Sequence, residues 1–307
     1  MAIKPPVLRQ GDTIGIVTLG SPLEPRIINE GIANLKSRGF NVVLGKYVYS
    51  SNGFLAGTDE QQASDLMSMF TNEQVNMILP TRGGVGVAGI LPYLDFSVIE
   101  QNPKIISGYS DITILLNVLY QYANLTTFQS LLLLDFTRGT PDYNFRQFFS
   151  ATATLVSPRQ IRNPPGMPLI GKVPGNVTGE IVGGNLTSFV DTLGTPFEID
   201  TKGKILLLEE THEPMNNIYR YITHLRIAGK LDDCIGIIMG ECTECEPAYG
   251  KTYEETIDEF LVPLGKPLMT GLATAHGYYK AAIPIGAKVN MNSINQTLTV
   301  MEAAVSE

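Results

Sequence analysis

The stretch SGYSDITIL, Ser107–Leu115, governs the reading of this chain. Ile105 and Ile106 lead into it as an apolar, strand-like run, and Asp111 to Ala123 leave it in a helical pattern. A strand that turns directly into a helix is the repeating unit of a parallel α/β sheet. Ser110 stands at that turn, and two readings of it are open. Serine is a favoured N-cap, its hydroxyl accepting from the first turn of the helix. A sharp strand-to-helix turn can also hold a serine hydroxyl outside the sheet as a nucleophile, with the next backbone N–H aimed at an oxyanion. The pattern departs from the full G-x-S-x-G elbow, because Ile112 takes the last glycine position.

Upstream, the same alternation repeats. DTIGIVTLG reads as a strand ending in a glycine turn, Glu24 to Gly39 as a helix and NVVLG as a strand. Thr58 to Phe70 reads as a helix opened by Thr58-Asp59-Glu60, and VNMILPT as a strand that enters the turn RGGVG. A short helix around Gly89 to Tyr93 then precedes the strand KIISG. This predicts a doubly wound parallel sheet, whose ligands lie outside the carboxyl ends of the strands. RGGVG and GYSD both fall at such ends.

Downstream, residues 157–175 (SPRQIRNPPGMPLIGKVPG) are rich in proline and glycine and lack periodicity, the mark of a linker. Beyond them GEIVGG, GKILLLEE and CIGIIMGE are strand-like, NLTSFVDTL and NNIYRYITHLRIAG are helix-like, and KVNMNSINQTLTVME reads as a hairpin. At 307 residues two domains are expected: an N-terminal α/β domain over 1–156 and a β-rich mixed domain over 176–307, joined by 157–175.

The composition is that of a globular protein. Lys and Arg number 22 and Asp and Glu 30, a net charge of -8, which argues against a nucleic-acid partner. No apolar run approaches the roughly 20 residues that span a bilayer. The opening MAIKPPVLRQGDTIGIV lacks the order of a signal peptide, so a cytoplasmic location is expected. The three cysteines are too few for a disulfide framework, and Cys242-x-x-Cys245 has no second pair to complete a zinc site. Free thiols are expected, with no metal and no organic cofactor.

A nucleophilic serine needs a base, and the chain offers three histidines. His224 lies inside a helical pattern and His212 in a polar turn. His276, in LATAHGYYK, follows a strand-like segment and precedes a glycine, in a loop able to bring an imidazole to another domain. A third group orients the imidazole. Glu209 and Glu210 end the strand KILLLEE and point to opposite faces, so one of them serves. Gly84-x-Gly86-x-x-Gly89 formally matches a dinucleotide fingerprint but follows the third strand rather than the first. It is read instead as a turn whose backbone approaches a ligand closely.

In order and spacing, RGG-x-G, GYSDIT, GGNLT (Gly183 to Thr187), LLLEE and the late AHG resemble the LD-carboxypeptidase family of serine peptidases, which includes the microcin C self-immunity hydrolases. FLAGTDEQQASDL, LPYLDF and AAIPIGAKVNMN extend the resemblance over nearly the whole chain. It implies a catalytic Ser110, Glu209 rather than Glu210, and His276, set between two domains. It also implies an oxyanion hole from the N–H groups of Asp111 and the Gly83-Gly84 turn, a murein tetrapeptide as substrate, no cofactor, and a homodimer. Arg82 is a candidate for a substrate carboxylate and Tyr278 for a stacking contact. The chain departs from the family's RGGYG at Val85 and reads TFQSL where TFHGP or TFYGP is usual. The run LLLLDFTRGTPDYNFRQFF is closer to the immunity branch, yet the chain has no tryptophan with which to stack a nucleotide.

Overall fold

A computed structural model describes residues 2–307. The first sheet has six strands: β1 (Thr13–Val17), β2 (Asn41–Leu44), β3 (Val75–Pro80), β4 (Ile105–Gly108), β5 (Thr127–Gln129) and, from far along the chain, β12 (Ile283–Ile285). Their order is β12-β5-β4-β3-β1-β2, parallel throughout except for β12, which runs antiparallel to β5.

The strands are apolar on both faces because both faces are covered. Ile106 and Ile78 pack with the helices Asp59–Thr71 and Ile112–Ala123, while their neighbours Ile105 and Met77 pack on the opposite face with Pro25–Ser37 and Asp142–Thr152. Each fully buried Leu or Ile removed from water contributes roughly 1.5–3 kcal/mol. The helix Asp59–Thr71 begins at a capping box: Gln61 N–H donates to Thr58 Oγ1 at 3.2 Å, and Thr58 N–H donates to Gln61 Oε1 at 3.0 Å.

The second sheet has eight strands: β6 (Arg159–Ile161), β7 (Ile170–Val173), β8 (Asn176–Asn185), β9 (Ile205–Thr211), β10 (Gly236–Thr243), β11 (Leu268–Leu272), β13 (Lys288–Asn292) and β14 (Thr297–Val300). They are ordered β6-β14-β13-β8-β9-β10-β11-β7, with β8 to β11 parallel and the flanking pairs antiparallel. The expected C-terminal hairpin is β13–β14. The stretch 157–175 carries two short strands, which the prolines around them concealed: β6 and β7 form the two edges of this sheet.

The two sheets are tied at the helix that follows Ser110. Asn117, fully buried within Ile112–Ala123, donates from Nδ2 to Gly183 O at 2.9 Å and accepts from Gly183 N–H at 2.8 Å. One side chain therefore satisfies both backbone groups of a β8 residue. Asn117→Ala would leave that donor and that acceptor buried and unpaired, and is expected to cost about 2–4 kcal/mol in urea unfolding. A loss under about 0.5 kcal/mol would show that the tie is dispensable.

Candidate active site

Ser110 lies two residues past the end of β4 and adopts φ 62, the left-handed region, which a serine enters only when its surroundings hold it there. Its hydroxyl caps nothing: the helix Ile112–Ala123 has no side-chain cap, and the hydroxyl makes no hydrogen bond among the described residues. The Ser110 carbonyl instead accepts from Thr113 N–H at 2.9 Å, which ties the turn to the helix start. Of the two readings of this serine, capping is not what its hydroxyl does, and a left-handed φ is what the sharp turn of a nucleophile elbow requires.

Asp111 explains why an acidic residue follows. Its buried carboxylate accepts from Val87 N–H at 2.8 Å and from Ser188 Oγ at 3.3 Å. It thus pins the glycine turn of residues 82–86 and the Asn185–Ser188 segment to the serine turn. Burial raises its pKa above the usual carboxylate range, with the Val87 bond opposing. On the other side Ser21 braces the same turn, donating N–H to Gly83 O at 3.4 Å and accepting from Val85 N–H at 3.1 Å.

Gly83 has to be glycine. A Cβ there would lie 2.6 Å from Ser110 Cβ and 2.9 Å from Ser110 Oγ. The same closeness sets the backbone of the turn beside the hydroxyl. Among the described residues the N–H groups of Gly83, Gly84 and Asp111 donate to no protein acceptor. Free donors on backbone this close to a hydroxyl suit a developing oxyanion.

Glu209 ends the apolar part of β9 and is 1% exposed. Its Oε2 accepts from His276 Nδ1 at 2.8 Å, while Oε1 has no partner among the described residues. This bond assigns the proton to Nδ1 and leaves Nε2 as the free ring nitrogen. The edge of the His276 ring meets Tyr109 at 5.1 Å between centroids, so the imidazole lies beside the residue that precedes Ser110. No hydrogen bond joins Ser110 to His276 among the described residues. Such bonds are often long without substrate and tighten in the complex.

Glu210 points the other way and is fully engaged. It accepts from Asn185 Nδ2 at 2.7 Å, Thr187 N–H at 2.8 Å, Thr187 Oγ1 at 2.6 Å and Thr211 N–H at 2.9 Å. It holds the GGNLT segment in shape and has no capacity left for an imidazole. The other histidines are elsewhere: His212 pairs with Glu244 at an exposed site, and His224 is in the last turn of the helix Met215–Ile227.

Arg82 is half-buried beside this turn, its Nε buried without an acceptor among the described residues. Tyr278, 68% exposed, stands two residues past His276 with its ring edge on Tyr279 at 4.9 Å. Cys242 and Cys245 are joined as a disulfide, contrary to the free thiols expected. The turn after β10 brings their Cα atoms to 5.4 Å, within bonding range, which the spacing alone did not show. Cys234 is free and buried. Among the described residues no three His, Cys, Asp or Glu side chains converge as a metal site.

Sequence reasoning missed Ser21, Tyr109, Asp135 and Lys280. Ser21, Asp135 and Lys280 lie outside the site motifs read from the sequence, and their places come from packing; Tyr109 lies within GYSD but carries no signal of its own. The one signal for Tyr109 and Asp111 is adjacency to Ser110.

A family model described as the LD-carboxypeptidase N-terminal domain matches residues 14–130, and one described as the C-terminal domain matches residues 178–291. The chain is 36% identical over 312 residues to a probable murein peptide carboxypeptidase of Bacillus subtilis, covering 99% of this chain and 96% of that protein. It is 26% identical to the microcin C7 self-immunity protein MccF of Escherichia coli, over 97% of this chain and 96% of that protein. A solved structure of an inactive MccF mutant in the apo state superposes with a TM-score of 0.93 over 99% of both chains, at 24% identity.

Gly83→Ala should push the serine turn out of place. Labelling of Ser110 by a fluorophosphonate, read by intact mass, is expected to slow by about 10²-fold while the fold persists by circular dichroism. Unchanged labelling would mean that this turn does not set the position of Ser110.

Proposed function

The chain belongs to the LD-carboxypeptidase family of serine peptidases, and on that premise we propose that it removes the terminal D-alanine from a murein tetrapeptide. In this reading Ser110 is the nucleophile, His276 the general base and then acid, and Glu209 the group that orients the imidazole. The observation that carries it is the 2.8 Å bond from His276 Nδ1 to the buried Glu209, beside a serine held at φ 62.

His276 Nε2 takes the Ser110 proton as Oγ attacks the carbonyl between the L-centre of a diamino acid and D-alanine. The oxyanion forms among the N–H groups of Asp111 and the Gly83-Gly84 turn, each donor stabilising it by about 3 kcal/mol. Imidazolium at His276 is stabilised by the Glu209 carboxylate and returns its proton to the leaving amine of D-alanine. Water, deprotonated by the same imidazole, then releases the acyl group from Ser110. Arg82 is the side chain we assign to the D-alanine carboxylate, and Tyr278 to the rim of the cleft. The role fits peptidoglycan recycling in a bacterial cytoplasm, with a homodimer as the assembly. Among the described residues no helix is long and apolar enough to cross a membrane.

The substrate class rests on similarity to the probable murein peptide carboxypeptidase. Similarity to MccF supports a second reading, in which the same residues cleave an aminoacyl or peptide conjugate of a nucleotide.

Purified protein incubated with L-Ala-D-Glu-meso-diaminopimelate-D-Ala, or its L-lysine counterpart, is expected to release D-alanine by mass spectrometry, and Ser110→Ala to release none. Release by Ser110→Ala would overturn the nucleophile. No release by wild type, with cleavage of an aminoacyl sulfamoyl nucleotide, would favour the second reading. Glu209→Gln is expected to lower kcat by about 10³–10⁴-fold, since it disturbs the tautomer of His276. Glu210→Gln should act on thermal stability instead. Equal losses of kcat from the two changes would sink the Glu209 assignment.

A further inference from the structure

His276 sits at the top of a backbone arch whose two sides are held by one buried ammonium. Lys280 is 8% exposed. Its Nζ donates to Ala275 O and, at 2.8 Å, to Gly277 O, the carbonyls that flank His276. The arch is not one the chain would adopt unaided, since Ala275 stands at φ 56, a left-handed conformation that alanine disfavours. Gly277 closes the other side, where a Cβ would run into the Glu241 carboxylate.

Lys280 is itself fixed from the opposite sheet. Its ammonium lies 3.9 Å from Asp135 Oδ1 and 4.8 Å from the centroid of the Tyr109 ring, the ring that meets His276 edge-on. Tyr109 OH donates to the same Asp135 Oδ1 at 3.3 Å, and Asp135 Oδ2 is anchored by Leu132 N–H at 2.9 Å. The backbone of the arch is sutured as well: Lys280 N–H donates to Asn144 Oδ1 at 2.9 Å, and Asn144 Nδ2 donates to Tyr278 O at 3.1 Å. Burial pushes the Lys280 ammonium below the usual lysine range, and Asp135 opposes that shift. An ammonium taken out of water this far is held only where it has partners.

We propose that Lys280 is a positioning residue for the reaction: by clamping Ala275 O and Gly277 O it sets the direction of the His276 ring relative to Glu209 and Ser110. It acts through the arch and touches no reacting atom. The inference rests on the reading of His276 as the base. A plain structural lysine would lower stability and leave turnover alone. Lys266 is such a case, since its Nζ clamps Asp232 O and Cys234 O at 2.7 Å each, next to the start of β10 and away from its Glu241 end.

The test compares Lys280→Met with Lys266→Met. For Lys280→Met, kcat for D-alanine release is expected to fall about 10²-fold and KM to move less than about threefold, the signature of a misplaced group. The low-field proton resonance of the His276 Nδ1–H···Glu209 bond should shift or vanish in Lys280→Met and stay in Lys266→Met, which should keep wild-type kcat. An unchanged resonance, or a kcat for Lys280→Met within about threefold of wild type, would overturn the proposal. If Lys280→Met leaves Asp135 unpaired and the protein does not fold, Lys280→Met with Asp135→Asn carries the same test. If wild type releases no D-alanine, the substrate reading fails, but the resonance and the rate of fluorophosphonate labelling of Ser110 still decide the role of Lys280.

Discussion

The buried carboxylate of Glu209 is the constraint around which the rest is arranged. A carboxylate 1% exposed costs several kcal/mol unless it is bonded, and its one hydrogen bond runs to His276 Nδ1. Glu209 comes from the central strands of the second sheet. The segment that bears His276 runs on into β12, which pairs with the first sheet. The His276 end of the Glu209–His276 bond thus lies on the segment that runs from β11 of the second sheet to β12 of the first.

Around this bond the structure uses polar side chains mainly as braces. Asp111 fixes the glycine turn, Glu210 fixes Asn185 and Thr187, and Asn117 fixes Gly183. Each places acceptors or donors on backbone that would otherwise be buried and unpaired. Under the proposed reaction these braces would hold ready the N–H groups of Gly83, Gly84 and Asp111, unbonded among the described residues, the serine at φ 62 and the imidazole bonded to Glu209. Preorganised donors lower a barrier because they need no rearrangement as charge develops.

Carboxylates also gather here beyond the one that holds the imidazole. Asp135 and Glu241 are both held above their ordinary range by burial, with the Lys280 charge opposing in each case. A single buried ammonium thus moderates two carboxylates while it clamps the histidine arch. That arrangement concentrates ionisable groups where a small motion of one side chain alters the field at the others.

The sequence by itself determined the α/β alternation, because strand and helix periods differ and glycine turns separate them; β1 to β4 lie where that alternation put them, and the three-residue β5 was too short to read. Strand ends and scarce histidines put forward Ser110, Glu209 or Glu210, and His276 as candidates, and the family resemblance implied Glu209 of the two. The sequence could not reach β6 and β7, because they are three and four residues long and stand among prolines that read as linker. It could not pair Cys242 with Cys245, because bonding depends on the turn that follows β10. The choice of Glu209 over Glu210 from geometry, the brace of Ser21 and the clamp of Lys280 were decided by tertiary structure alone. These contacts join residues as far apart as 145 positions, as between Asp135 and Lys280. Local pattern records which face a side chain takes, and only packing determines what that face meets.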